Sequence, residues 1–204
     1  SGAVESIQHD LRWLGLLWDE PVVFQSRRRD LYRLALSSLR RQDKLYPCRC
    51  TRRKLSKASI GDKKTKIYPG TCRGLDLAWG WQGGRLPSLR LKVGKEFLET
   101  SGDVVLRRSD GFIAYHLATV VDELGLGINE VLRGEDLAMA LPSQLAVFDA
   151  LDQIPVNYQY IPVLIDKNGR KLSKRDQSEG LYSLKEKGMN ASQIIGWLAA
   201  SLDL

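Results

Sequence analysis

No apolar run in this sequence approaches the roughly 20 residues that a membrane-spanning helix needs. Nothing after Ser1 has the charged, apolar and small-residue order of a signal peptide. The expectation is a cytoplasmic protein without a membrane partner. Cysteine is scarce, and Cys48, Cys50 and Cys72 form an odd set confined to one stretch. Such a set excludes the disulfide framework of a small secreted domain and speaks for metal binding. Histidine is scarcer still, and both His9 and His116 lie outside that stretch. Repeats and low-complexity tracts are missing, and 204 residues leave no room for a second full domain beside a real core. Acidic residues number 24 against 31 basic ones, and the resulting charge of +7 favours a polyanionic partner such as nucleic acid. What remains is an ordinary composition, 43% apolar and 27% charged.

Periodicity predicts an α/β fold. Val4, Ile7, Leu11, Leu14 and Trp18 share one stripe of an amphipathic helix over 3–18, which Gly15 and Pro21 bring to a stop. Ser26 is placed to cap a second helix over 27–42, with Leu31, Leu34, Ala35, Ser38 and Leu39 inward and arginines on a solvated face. A short helix is expected over 51–59. Strands are expected over 89–93, 104–107 and around 112–113, with Ser109-Asp110-Gly111 as a turn. Then come a buried helix over 115–124, a strand over 128–133, a helix over 137–151 and a buried strand over 160–165. Strand, helix, strand in that order implies a parallel crossover, with ligands off the carboxyl ends of the strands. Arg133 and the loop at 171–175 fall there. A short helix over 181–187 precedes a last one that Asn190 and Gln193 begin as a capping box.

Three groups of residues can carry chemistry. After the turn signal Asn168-Gly169 comes Arg170-Lys171-Leu172-Ser173-Lys174-Arg175, cations around one hydroxyl, suited to a polyphosphate whose charge moves during reaction. Arg133, at a strand end, can clamp a carboxylate bidentately or pair with Glu130, Glu135 or Asp136. Tyr115 opens a helix, where a phenol can bond a substrate or simply pack. Three thiolates over so short a segment can hold Zn²⁺ if a fourth donor joins them, and the candidates are Asp62 and the phenolate of Tyr68. Tyr68 is preferred, although a tyrosine ligand and a single residue between the first two cysteines both depart from the common pattern. The alternative is three buried free thiols.

Lys171-Leu172-Ser173-Lys174-Arg175 resembles the second signature of class I aminoacyl-tRNA synthetases, in its glutamyl form. Phe112 to Asp122, Val131 to Asp136 and Gly169 to Arg175 are similar, in order and spacing, to the catalytic domain of glutamyl-tRNA synthetases, as are Leu14 to Pro21 and Gln25-Ser26 upstream. Cys48-Arg49-Cys50 followed by Tyr68-Pro69-Gly70-Thr71-Cys72 resembles the zinc site of a short group of paralogues within that family.

The resemblance implies a Rossmann-like class I catalytic domain, a parallel sheet with flanking helices, over 1–204. It also implies a zinc-binding insertion over 46–75 and no anticodon-binding domain. The family's first signature would precede Ala3, and the stretch between Val93 and Gly102 is shorter than usual, so an incomplete domain is expected. By resemblance Tyr115 and Arg133 hold L-glutamate, Lys174 contacts ATP as the catalytic lysine, and Cys48, Cys50, Tyr68 and Cys72 bind structural Zn²⁺. ATP would be used with Mg²⁺. The activity implied is tRNA-independent activation of glutamate and its transfer to queuosine in tRNA(Asp), by a monomer. A non-catalytic RNA-binding paralogue and a fragment of an ordinary glutamyl-tRNA synthetase are the competing readings.

Overall fold

A computed structural model describes residues 2–51, 53–55, 67–165, 169, 171–172 and 180–202. The chain divides into two compact units, Phe24–Ile161 and a discontinuous one formed by Ser1–Val23 with Pro162–Leu204.

In the larger unit a 3-10 turn, Gln25–Arg27, leads into helix α2, Arg29–Arg41. Ser26 lies within that turn and caps nothing; the helix begins two residues later than its spacing predicts, without a side-chain cap. Its buried face is Tyr32, Leu36 and Leu39, while Leu31 and Leu34 are exposed. The stripe is rotated because the Tyr32 phenol reaches a polar partner inside, described below. Strands β1 (Leu45–Cys48), β2 (Ser88–Leu91) and β3 (Val105–Arg107) then form an antiparallel sheet in that order. Cys48 of β1 pairs with Ser88 of β2. Helix α3, Tyr115–Gly125, covers this sheet with Leu117 and Val120.

Strand β4, Glu130–Gly134, and strand β5, Asn157–Ile161, pair in parallel. The crossover between them holds a 3-10 segment, Glu135–Ala140, and helix α4, Leu141–Ala150. A single helix over 137–151 is not formed, because Pro142 lacks the N–H that a continuous helix would need there. The last strand also differs from expectation: it begins earlier, alternates between half-buried and exposed residues, and stops at Ile161. Pro162 has no N–H for the ladder and ends it. Tyr32, Leu39, Leu91, Leu106, Leu117, Val120, Val147 and Phe148 form the core of the unit. Each such side chain contributes about 1.5–3 kcal/mol by leaving water.

The smaller unit contains α1 (Ala3–Trp13), α5 (Leu181–Glu186) and α6 (Ala191–Ala200). Helix α1 ends before Gly15, which takes φ +75°. Lys185 of α5 bonds Asp10 of α1 at 2.5 Å and lies over the Trp13 ring. The capping box of Asn190 and Gln193 forms as expected.

Candidate functional site

Arg133 is the fourth residue of β4, and the parallel register sets Tyr160 of β5 opposite it and Tyr158 opposite Val131. Its side chain is buried. Nη1 donates to Gln144 Oε1 of α4 at 2.8 Å and Nη2 to the Tyr160 hydroxyl at 2.9 Å. The guanidinium lies over the Tyr158 ring at 4.3 Å and the Tyr160 ring at 5.3 Å. Its Nε has no hydrogen-bond partner among the described residues. Among the described residues Arg133 makes no ion pair with Glu130, Glu135 or Asp136, the pairing that the sequence leaves open, and its hydrogen-bond partners there are neutral. Burial works against the cation. The bond to Tyr160 and the nearby phenols of Tyr160, Tyr115 and Tyr158 outweigh it, and hold the guanidinium above its ordinary value. The arrangement is a buried cation held in place with no counter-ion at its edge among the described residues, which favours an anionic ligand.

Tyr115 stands at the first turn of α3, half-exposed and close enough to act on the charge of Arg133. Behind the cage, Tyr158 donates to buried Glu123 at 2.6 Å. Burial raises the Glu123 carboxyl in spite of that bond and the field of Arg133. Sequence reading found Arg133 and Tyr115 but missed Gln144, Tyr158, Tyr160 and Glu123. The β4–β5 register brings in Tyr158 and Tyr160, and helix packing brings in Gln144 and Glu123; no local pattern displays either.

Lys171 belongs to the smaller unit. An isolated antiparallel bridge joins it to Ile165, Leu172 N–H bonds Leu164 at 2.9 Å, and Gly169 takes φ +73° as the turn signal requires. Lys174, with Arg170, Ser173 and Arg175, lies outside the described residues, as do Asp62 and most of the expected helix over 51–59.

The three cysteines converge. β1 ends at Cys48, Cys50 follows, and Gly70 at φ +75° allows the turn that returns Cys72. Their sulfurs all lie within 4.8 Å of one another, with Cys50 and Cys72 at 3.5 Å. The Tyr68 phenol oxygen is 3.5 Å from Cys48 Sγ and 3.7 Å from Cys50 Sγ, and accepts the Cys72 N–H at 2.8 Å. A tetrahedral ion with metal–sulfur bonds of about 2.3 Å needs sulfurs about 3.8 Å apart and a sulfur–oxygen edge of about 3.5 Å. The donor set fits, and the three thiols can hold a metal ion.

Burial disfavours the Cys48 thiolate, but hydrogen bonds from Tyr68, the Cys50 backbone and Arg90, with the charge of Arg90, bring the thiol down to about 7. Burial pushes Cys50 up to about 11 and, with its sulfur neighbours, Tyr68 far above the usual phenol range. Arg90 stacks on the Tyr68 ring at 3.7 Å and donates to the Asp103 carbonyl. The Asp103 carboxylate in turn takes Tyr46, Arg73 and the Val93 N–H.

A further feature concerns α2. Arg29, Arg33 and Arg40 form an exposed stripe along it, solvated as expected, and the stripe borders an open cleft. Arg33, Arg40, Arg107, Trp79 and Ile113 border a space of about 460 Å³, with Arg40 stacked on Trp79 at 4.1 Å.

With this geometry in view, the comparisons are consistent. Residues 1–199 match the family of class I tRNA synthetases (E and Q), catalytic domain, and the chain belongs to that family. A curated relative from Prochlorococcus marinus (strain MIT 9313), named glutamyl-Q tRNA(Asp) synthetase, is 62% identical over 203 residues, 100% of this chain. The chain spans 66% of that relative's length. A relative of the same name from Synechococcus sp. (strain CC9605) is 52% identical, covering 100% of this chain and 67% of its own. Among solved structures, a glutamate tRNA ligase from Elizabethkingia meningosepticum CCUG26117 superposes with a TM-score of 0.66 at 22% identity. It covers 86% of this chain and 42% of that one, and the likeness supports the class I α/β fold.

Proposed function

We propose that this chain is the catalytic part of an ATP-dependent ligase that activates L-glutamate without tRNA and transfers it to the queuosine base of tRNA(Asp). The observation that carries this reading is Arg133, buried and fixed by neutral partners, ready for a carboxylate. The names of the 62% and 52% identical relatives support the same substrate. In this reading Arg133 clamps one carboxylate of glutamate and Tyr115 hydrogen-bonds the same amino acid. The other carboxylate attacks the α-phosphorus of ATP, the bond to pyrophosphate breaks, and glutamyl-adenylate forms. Lys174 steadies the charge that gathers on the phosphates. ATP enters with Mg²⁺, which neutralises phosphate charge. A nucleophile on queuosine then displaces AMP. Cys48, Cys50, Tyr68 and Cys72 hold structural Zn²⁺, which supplies the folding energy that a segment so short in core residues lacks. The arginine stripe of α2 contacts tRNA phosphates, and the enzyme works in the cytoplasm as a monomer.

Glutamate-dependent ATP–pyrophosphate exchange without tRNA is the direct test, followed by transfer to tRNA(Asp) with and without queuosine. Exchange with glutamate, none with aspartate or glutamine, and transfer only to the queuosine-bearing tRNA are expected. Exchange that ignores the amino acid, or transfer to the 3′ end of tRNA(Glu), overturns the reading.

A further inference from the structure

Arg133 meets rings on its faces and two neutral oxygens at its edge. One oxygen belongs to Gln144, whose side chain is fully buried on α4. A guanidinium offers no acceptor, so the amide must turn its oxygen toward Arg133. Its NH₂ then faces away, and among the described residues Gln144 Nε2 has no hydrogen-bond partner. A buried donor left unmet costs about 1–3 kcal/mol. A carboxylate at this position would bind the guanidinium more strongly and leave no orphaned donor. It would also cancel the charge. An amide orients the fork and leaves the cation available.

We propose that Gln144 is a specificity-determining positioning residue: its neutral oxygen fixes the Arg133 fork without neutralising it, so that the pocket selects an acidic amino acid over the corresponding amide. The inference rests on the reading of Arg133 as the glutamate clamp, and deepens it. A neutral acceptor at the buried edge of a binding arginine is a device for discrimination, since glutamate and glutamine are nearly the same size and differ in charge.

The test is steady-state ATP–pyrophosphate exchange by the full protein, with Gln144→Glu and Gln144→Met compared with the parent. In Gln144→Glu the KM for glutamate should rise roughly tenfold or more, the ratio of kcat/KM for glutamine to that for glutamate should rise, and the KM for ATP should stay unchanged. Gln144→Met fills similar space without an acceptor. It should raise the KM for glutamate severalfold at an unaltered melting midpoint, while glutamate stays preferred. Unchanged glutamate KM and substrate ratio in Gln144→Glu overturn the proposal, as does a fall in kcat shared by both variants with KM untouched. If Gln144→Glu does not fold, Gln144→Met decides: a higher glutamate KM supports the proposal and an unchanged one overturns it. A parent protein indifferent to glutamate removes the functional reading and this inference with it. A parent that prefers glutamate beside unaltered variants removes this inference alone.

Discussion

A side chain at Gly102 would be strained and crowded. The glycine takes φ +58°, and a Cβ there would meet Ile67 Cγ2 at 2.9 Å and the Tyr68 backbone N and O at 3.1 Å. The isolated bridge between Gly102 and Tyr68 depends on that bare backbone. Gly102→Ala is expected to lose about 1–3 kcal/mol of stability from backbone strain and crowding, read from the denaturant midpoint. Because the clash falls on Tyr68, metal content measured by atomic absorption should fall with it. Cys72→Ser should lower metal content by removing a thiolate donor outright. A metal content near parent level in both variants would count against the cluster as a metal site. Nothing around Gly102 in the sequence announces this role, since its neighbour is more than thirty residues away along the chain.

Helices α2 and α3 are joined by one carboxylate. Asp122 accepts from Gln25 at 2.8 Å, from Arg28 Nε at 2.6 Å and from the Tyr32 hydroxyl at 2.9 and 2.8 Å. Asp122→Ala strands a largely buried guanidinium and should cost about 3–5 kcal/mol. Tyr32→Phe gives up one bond and should cost about 1 kcal/mol. The double variant should lose less than the sum of the two, and strict additivity in denaturant melts would show that the groups do not act as a unit. Periodicity foretold both helices and the α/β class, and the capping box of α6 formed from residues three apart. It misjudged the rotation of α2, because Tyr32 is drawn inward by an acid some ninety positions on. The candidate site was legible in part. Arg133, Tyr115 and the three cysteines stand out by residue type, and the phenol of Tyr68 does lie among the sulfurs. Gln144, Tyr158 and Tyr160 reach Arg133 only through strand register and helix packing, which a linear pattern does not encode. At this scale too, Arg33→Glu with Arg40→Glu on α2 should weaken binding of the tRNA anticodon stem-loop and flatten its salt dependence. Glutamate-dependent exchange should be unaffected. Unaltered RNA affinity by fluorescence anisotropy would exclude the cleft as a contact.

Over the whole molecule, pH response should carry the mark of buried groups. Burial lowers His116 below its ordinary 6.5, and its Nδ1 has no hydrogen-bond partner among the described residues. The unfolded chain therefore takes up a proton that the folded one refuses, and stability is lost as pH falls below about 6.5. Glu123 acts in the opposite sense: its raised carboxyl contributes stability below its ordinary 4.5 that is lost as pH rises. In urea melts, His116→Gln should gain on the parent progressively as the buffer is taken from neutral to mildly acid. A constant difference would show that His116 does not titrate in that range. The chain leaves the antiparallel sheet at Cys48 and comes back to it at Ser88, which are hydrogen-bonded neighbours. The cysteine-bearing excursion is thus a cassette on a closed doorway. Its length costs the fold only a slowly growing closure entropy, about 0.6 kcal/mol for each doubling. Changes in its length should leave the register of the sheet beneath intact, provided the ties of Tyr68 to Gly102 and of Arg73 to Asp103 are kept.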